Sequence, residues 1–183
     1  AELEADREII SIVADRNYEA IEGDVARLLR FDDSPVWSVG RYRGVASKID
    51  SLFAIARLIT PGDLNRFFEA AEYILSETDP ALELPEKRRW AAALYGKKRD
   101  HSDTLREGIC ETLAILSIHG NNLFQSRLGV DLEGRVALLI RNLLTPLTLE
   151  KLLSHDRNLP IFAEAAPDEV LKIIEEDLRC DDS

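Results

Sequence analysis

The feature that most constrains this chain is the spacing of its apolar residues, which keeps a helical period along nearly the whole sequence. Leu64, Phe67, Phe68, Ala71, Ile74 and Leu75 fall at i, i+3, i+4, i+7, i+10 and i+11, a single stripe on one helical face. The same spacing runs through Ile49, Leu52, Phe53, Ala56 and Ile59, through Leu105, Ile109, Leu113 and Leu116, and through Leu132, Val136, Leu139, Ile140 and Leu143. Start signals sit where the stripes begin. Thr60-Pro61-Gly62-Asp63 places a cap, a first-turn proline and an early acid in order, and Pro85-Glu86, Ser102-Asp103 and Pro167-Asp168-Glu169 repeat the scheme. No stretch sustains an alternating pattern. Val36-Trp37-Ser38-Val39 comes nearest and is too short to found a sheet. The expected fold is all-α, with eight or more helices.

The helix starts have a rhythm. First helices are expected near residues 2, 46, 86 and 131 and second helices near 18, 61, 102 and 148, so each series advances by 40 to 46 residues. Helical-hairpin repeats recur at about 40–47 residues, because a lone two-helix hairpin leaves one apolar face bare and stacking buries it continuously. The reading is a right-handed α-solenoid of about four hairpins plus a C-terminal helix, forming one domain over 1–183. The second helices, 60–76, 102–119 and 148–155, are expected to line its inner face. The helix at 102–119 carries Ile115 and Ile118 on a second side, so neighbours are expected to cover it from two directions, and Gly120 after His119 reads as a left-handed stop.

Composition narrows the function classes. The 183 residues are 45% hydrophobic and 31% charged with 9 Gly and 7 Pro, which excludes disorder and low-complexity sequence. No apolar run reaches the roughly 18 residues of a membrane span. The net charge of −11 opposes a whole-surface role on nucleic acid or anionic lipid. Two cysteines, Cys110 and Cys180, make no disulfide framework, and with an acidic start in place of a signal peptide they point to the cytoplasm. There is no Met, from which we expect a piece cut from a longer protein.

By its period and paired amphipathic helices the chain resembles the HEAT-type α-solenoid family. The runs Trp37-Ser38-Val39-Gly40-Arg41-Tyr42-Arg43-Gly44, Arg99-Asp100-His101-Ser102 and Glu107-Gly108-Ile109-Cys110-Glu111-Thr112-Leu113 are similar to helical segments of large bacterial STAND-type ATPases, a class that includes phage-defence proteins. That resemblance implies a recognition or scaffold region whose nucleotide chemistry lies elsewhere, since no P-loop occurs in this chain.

Two regions are candidate contact surfaces. In the segment 31–45, Asp32-Asp33-Ser34-Pro35 turns the chain and Trp37, Arg41, Tyr42 and Arg43 crowd between glycines, a mixture suited to an interface. The same aromatics would also serve as a plug between the first two hairpins. Between Glu86 and His101, Lys87, Arg88, Arg89, Lys97, Lys98 and Arg99 make an island of net charge +4 in a chain whose remainder carries −15. Such an island suits an acidic partner face, phosphates or nucleic acid, or else is one solvated helix side whose Lys97, Lys98 and Arg99 complement the helix dipole.

Chemistry-bearing patterns are sparse. His101, His119, His155, Cys110 and Cys180 lie too far apart to form the usual metal-ligand pairs, and no nucleophile elbow or Gly-rich phosphate loop is present, so neither metal nor cofactor is expected. HEAT-like DNA glycosylases place aromatic and acidic residues on a basic face. Here Trp37 and Trp90 are followed four residues later by Arg41 and Leu94, not by acids. The function expected is non-catalytic: a scaffold or recognition module for a protein partner or for another domain of the same chain. Nucleic-acid binding through 87–99 is the alternative, and a glycosylase the third.

Overall fold

The structure, a computed structural model, describes residues 3–40 and 42–181, and their side chains as far as Arg179. The chain is 70% helical, with ten α-helices and a two-stranded sheet among the described residues. It divides into two compact units, Ala1–Ala70 and Ala71–Ser183, and the division falls within a single helix, α4.

In the first unit, α1 (Glu4–Ala14) ends at Asp15 in the left-handed conformation, φ 50°. It packs on α2 (Tyr18–Leu28), which is capped by Asn17 accepting from the Glu19 amide. The segment 31–45 founds the sheet for which Val36-Trp37-Ser38-Val39 is expected to be too short. It is a hairpin of β1 (Val36–Val39) and β2 (Tyr42–Val45), antiparallel, with Val36 opposite Val45 and Val39 opposite Tyr42. Four residues suffice because Gly40 takes φ 59° at the turn, a conformation cheap only for glycine, and because Ala46 N–H donates to the Pro35 carbonyl and extends the pairing. Helix α3 (Lys48–Ile55) starts at Ser47, whose hydroxyl accepts from the Asp50 amide. At the start of α4 (Pro61–Leu75), Thr60 Oγ1 accepts from the Asp63 amide at 3.3 Å while the Asp63 carboxylate accepts from the Thr60 amide at 2.8 Å, a reciprocal cap.

The second unit is built around α5 (Asp103–Gly120). Ser102 caps it, and it packs against both α7 (Leu132–Leu144) and α9 (Leu159–Ala165). Ile109, Cys110, Leu113 and Leu116 from α5 meet a core that includes Val136, Ile140, Leu144 and Phe162. Helix α10 (Pro167–Asp181) packs on α7 and α9, and the short α8 (Leu149–Ser154) begins at Thr148, which accepts from the Lys151 amide. First helices start at residues 4, 48, 86 and 132 and second helices at 18, 61, 103 and 149, each within two residues of the sequence reading.

Three details differ from expectation. The helix beginning at Glu86 is a 3-10 helix, Glu86–Tyr95, kinked at Ala91 and preceded by a 3-10 turn, Pro80–Glu83. The helix at 102–119 does not stop at Gly120. Gly120 has φ −63° and the chain runs on through a π-helical turn, Asn121–Gln125, and α6 (Ser126–Leu128) to a left-handed stop at Gly129, φ 67°. Glycine stands at 120 for close packing, because a Cβ there would lie 2.7 Å from Leu132 Cδ1. Ile118, expected to be covered, is exposed.

Candidate functional site

The hairpin presents its aromatics outward. The Trp37 indole N–H donates to the Val45 carbonyl at 3.1 Å, and its ring lies on the backbone of Gly44, where a Cβ would come within 2.7 Å of Trp37 Cζ2. Even so, Trp37 is 44% exposed and Tyr42 52%, so neither is buried as a plug. Arg43 pairs with Glu22 of α2 at 2.5 Å. Arg41 lies outside the described residues.

The basic island divides into two sets. Lys97, Lys98 and Arg99 do not complete a helix: the 3-10 segment closes at Gly96 in the left-handed conformation, φ 70°, and the three cations follow in irregular chain. Lys97 pairs with Glu83, Arg99 lies 3.5 Å from Asp79 and donates to the Ser154 carbonyl at 2.6 Å, and Arg89 Nε donates to the Leu84 carbonyl at 3.1 Å. These three fasten the segment down. Lys87, Arg88 and Lys98 are exposed and have no ion-pair partner among the described residues. Beside them Trp90 is 87% exposed and Leu94 84%, while Ala91 and Ala92 turn inward. Helical spacing of Trp90 and Leu94 at i and i+4 reads as a buried stripe. The tighter 3-10 winding, three residues to the turn, places the alanines inside instead.

A third feature centres on a buried arginine. Arg106 of α5 is buried, its Nη1 donating to the Ile74 carbonyl and standing 3.7 Å from Glu77 Oε2. Burial lowers its basicity, and Arg99 nearby adds to the effect. Ser154 Oγ accepts from the Asp79 amide at 3.1 Å. His155, next in the chain, is buried against Phe162, and burial together with Arg106, Arg99 and Lys151 pushes it down to about 4. Glu77 Oε2, Arg99 Nε, Arg106 Nε and Nη2, and His155 Nδ1 are all buried without a hydrogen-bond partner. A recess of about 170 Å³ is lined in part by Glu77, Asn142, Lys151, Ser154 and His155. Only the helical spacing of Arg106 with Cys110, Leu113 and Ser117 marks this arginine as inward-facing.

The chemistry within reach is limited. A neutral imidazole at physiological pH has no nucleophile bonded to it here. Burial raises the Cys110 thiol to about 11, so at neutral pH it stays protonated. Among the described residues no three His, Cys, Asp or Glu side chains converge to hold a metal ion, and no helix is long and apolar enough to cross a membrane. Comparison with protein-family models, with curated proteins and with solved structures finds no match.

Proposed function

We propose that this chain is a non-catalytic recognition module, acting in the cytoplasm, that binds a protein partner or another domain of its own polypeptide through the Glu86–Tyr95 ridge. One observation carries the reading: Trp90 and Leu94 stand almost wholly in solvent next to Lys87, Arg88 and Lys98, which have no ion-pair partner among the described residues. Exposed large apolar side chains set among cations are costly to leave bare and suit a contact with apolar and acidic groups. The near-constant interval between helix starts supports the further reading that the hairpins are HEAT-like units of a right-handed α-solenoid, in the manner of scaffold regions of STAND-type ATPases.

The test is a double variant, Trp90→Ala with Leu94→Ala. A partner recovered with the native chain and then purified should bind the variant at least about tenfold more weakly, as loss of hot-spot side chains requires, with the melting temperature unchanged. Unaltered affinity removes the ridge from the interface. Duplex or single-stranded DNA that binds at low salt, and is released by Lys87→Glu with Arg88→Glu, turns the reading toward nucleic acid, since the exposed cations beside Trp90 are the groups such a ligand would use.

A further inference from the structure

Helix α10 carries an apolar stripe that the described residues leave in solvent. The helix packs on α7 and α9 and buries Ile173. Away from Ile173, the side chains of Leu171, Ile174 and Leu178 fall at i, i+3 and i+7 and so share a face, and they are 59%, 42% and 63% exposed. Asp168 and Glu175, three residues before Leu171 and four after it, stand on the same face and are exposed too. Glu175 reaches Arg179 at 3.5 Å, an exposed pair of the kind that holds weakly. Over Pro167–Asp181 six acids stand against two bases.

The ridge Glu86–Tyr95 is the counterpart of this stripe in opposite charge. Its winding of three residues to the turn sets Lys87 and Trp90 in one column, with Arg88 beside them and Leu94 beyond the Ala91 kink. Glu86 is the single acid of that segment, against Lys87, Arg88 and Arg89. Both patches therefore join large exposed apolar side chains to exposed charge, basic on the ridge and acidic on α10.

Charge decides which patches meet. Two α10 stripes face to face would set Asp168 and Glu175 against the same acids, and two ridges would set Lys87 and Arg88 against the same cations, so both symmetric pairings are opposed by repulsion. A ridge laid on an α10 stripe surrounds one apolar contact with opposite charges. We propose that the ridge of one copy of this chain docks on the α10 stripe of a second copy. Trp90 and Leu94 meet Leu171, Ile174 and Leu178, while Lys87 and Arg88 face Asp168 and Glu175. The inference rests on the reading of Glu86–Tyr95 as a contact ridge and names its partner as the same chain. Because the two patches differ, the contact runs head to tail, and assembly grows with concentration.

Analytical ultracentrifugation of the whole chain over a concentration series reaching about 1 mM tests the docking, a range that detects weak contacts. The weight-average mass should climb above 20.6 kDa with concentration, and less steeply in about 0.5 M NaCl. Lys87→Glu with Arg88→Glu should weaken self-association at least about tenfold, and Asp168→Lys with Glu175→Lys should do the same, since each sets like charges against each other. All four positions are exposed. Mixing the two variants should restore association, because the ridge of either then meets an α10 stripe of opposite charge in the other. If a charge-reversed variant loses its helical circular dichroism, Leu171→Gln with Leu178→Gln replaces it and should abolish the climb in mass. A native chain that stays at 20.6 kDa throughout, folded variants that fail to associate on mixing, or a climb that survives the substitutions overturns the proposal. A chain that never self-associates, yet loses a purified partner on Trp90→Ala with Leu94→Ala, overturns self-docking and keeps the ridge as a contact surface.

Discussion

The units Ala1–Ala70 and Ala71–Ser183 are both made of amphipathic helices, yet they bury their apolar stripes to very different degrees. Helices α2 and α3 contain no buried residue, whereas α5 contains eight and α7 six. Ile49, Phe53, Ile55 and Leu58 of the first unit all remain exposed. Its ion pairs lie in solvent: Asp24 between Arg16 and Arg27, Glu22 with Arg43, and Asp63 with Arg66. Solvent-exposed pairs contribute about 0–1 kcal/mol each, against about 1.5–3 kcal/mol for a fully buried aliphatic or aromatic side chain. Periodicity therefore tells which side chains share a face, and says little about how much of that face is covered.

The sharpest way to break this contrast is a matched pair of truncations. Leu113→Ala, at a fully buried position in α5, should lower unfolding stability by about 3–4 kcal/mol, while Leu58→Ala, just past α3 and 77% exposed, should change it by no more than about 0.5 kcal/mol. Chemical denaturation measures both, and equal losses would abolish the distinction.

Next in size is a pH effect confined to the second unit. His155 stays neutral in the folded chain down to about pH 4, but in the unfolded chain it takes up a proton below about 6.5. Its folded pKa lies below its unfolded one, so stability falls as pH drops through the interval from about 6.5 to about 4, by up to about 3 kcal/mol, and this contribution levels off below it. His155→Leu should flatten that fall in a pH series of denaturation curves. Asp24, Asp63 and Asp131 are held below the usual carboxylate range by their hydrogen-bond donors, Arg16 and Arg27, Thr60, and the Gly134 amide, and lose their share only at more acid pH. A decline that survives in His155→Leu would mean that another buried group dominates.

The smallest effect concerns the first unit's surface pairs. Arg43→Ala should cost no more than about 0.5 kcal/mol, and about 0.5 M NaCl should remove most of that difference, because pairs in solvent are screened. A loss several times larger would show that the hairpin is held more firmly than its exposure suggests.

The helix starts were legible because capping is local. Ser47, Thr60, Ser102 and Thr148 each find a backbone amide three residues ahead, and nothing distant is needed. The hairpin was not legible, since its pairing rests on Gly40 adopting a left-handed turn between two strands of four residues. Gly120 misled for a related reason: a glycine before two asparagines looks like a helix stop, while its actual role is to admit Leu132 from a helix twelve residues on. Of the contact residues, the sequence singled out the island but could not separate Lys87, Arg88 and Lys98, which have no ion-pair partner among the described residues, from Arg89, Lys97 and Arg99, which are fastened. That division depends on Glu83, Asp79, Leu84 and Ser154, which only the folded chain brings alongside. The recess around Glu77 and His155 was invisible for the same reason.

The 3-10 winding of Glu86–Tyr95 has a mechanical corollary. On either side of the Ala91 kink the residues are wound three to the turn, and each residue there advances about 2.0 Å where an α-helix advances about 1.5 Å. Glu83 gripping Lys97 and Asp79 gripping Arg99 bracket this stretch on both sides. Recoiling it would reel in the bracketed length and drag on both grips at once, so the fasteners act as a gauge that keeps the tryptophan and leucine at a fixed span.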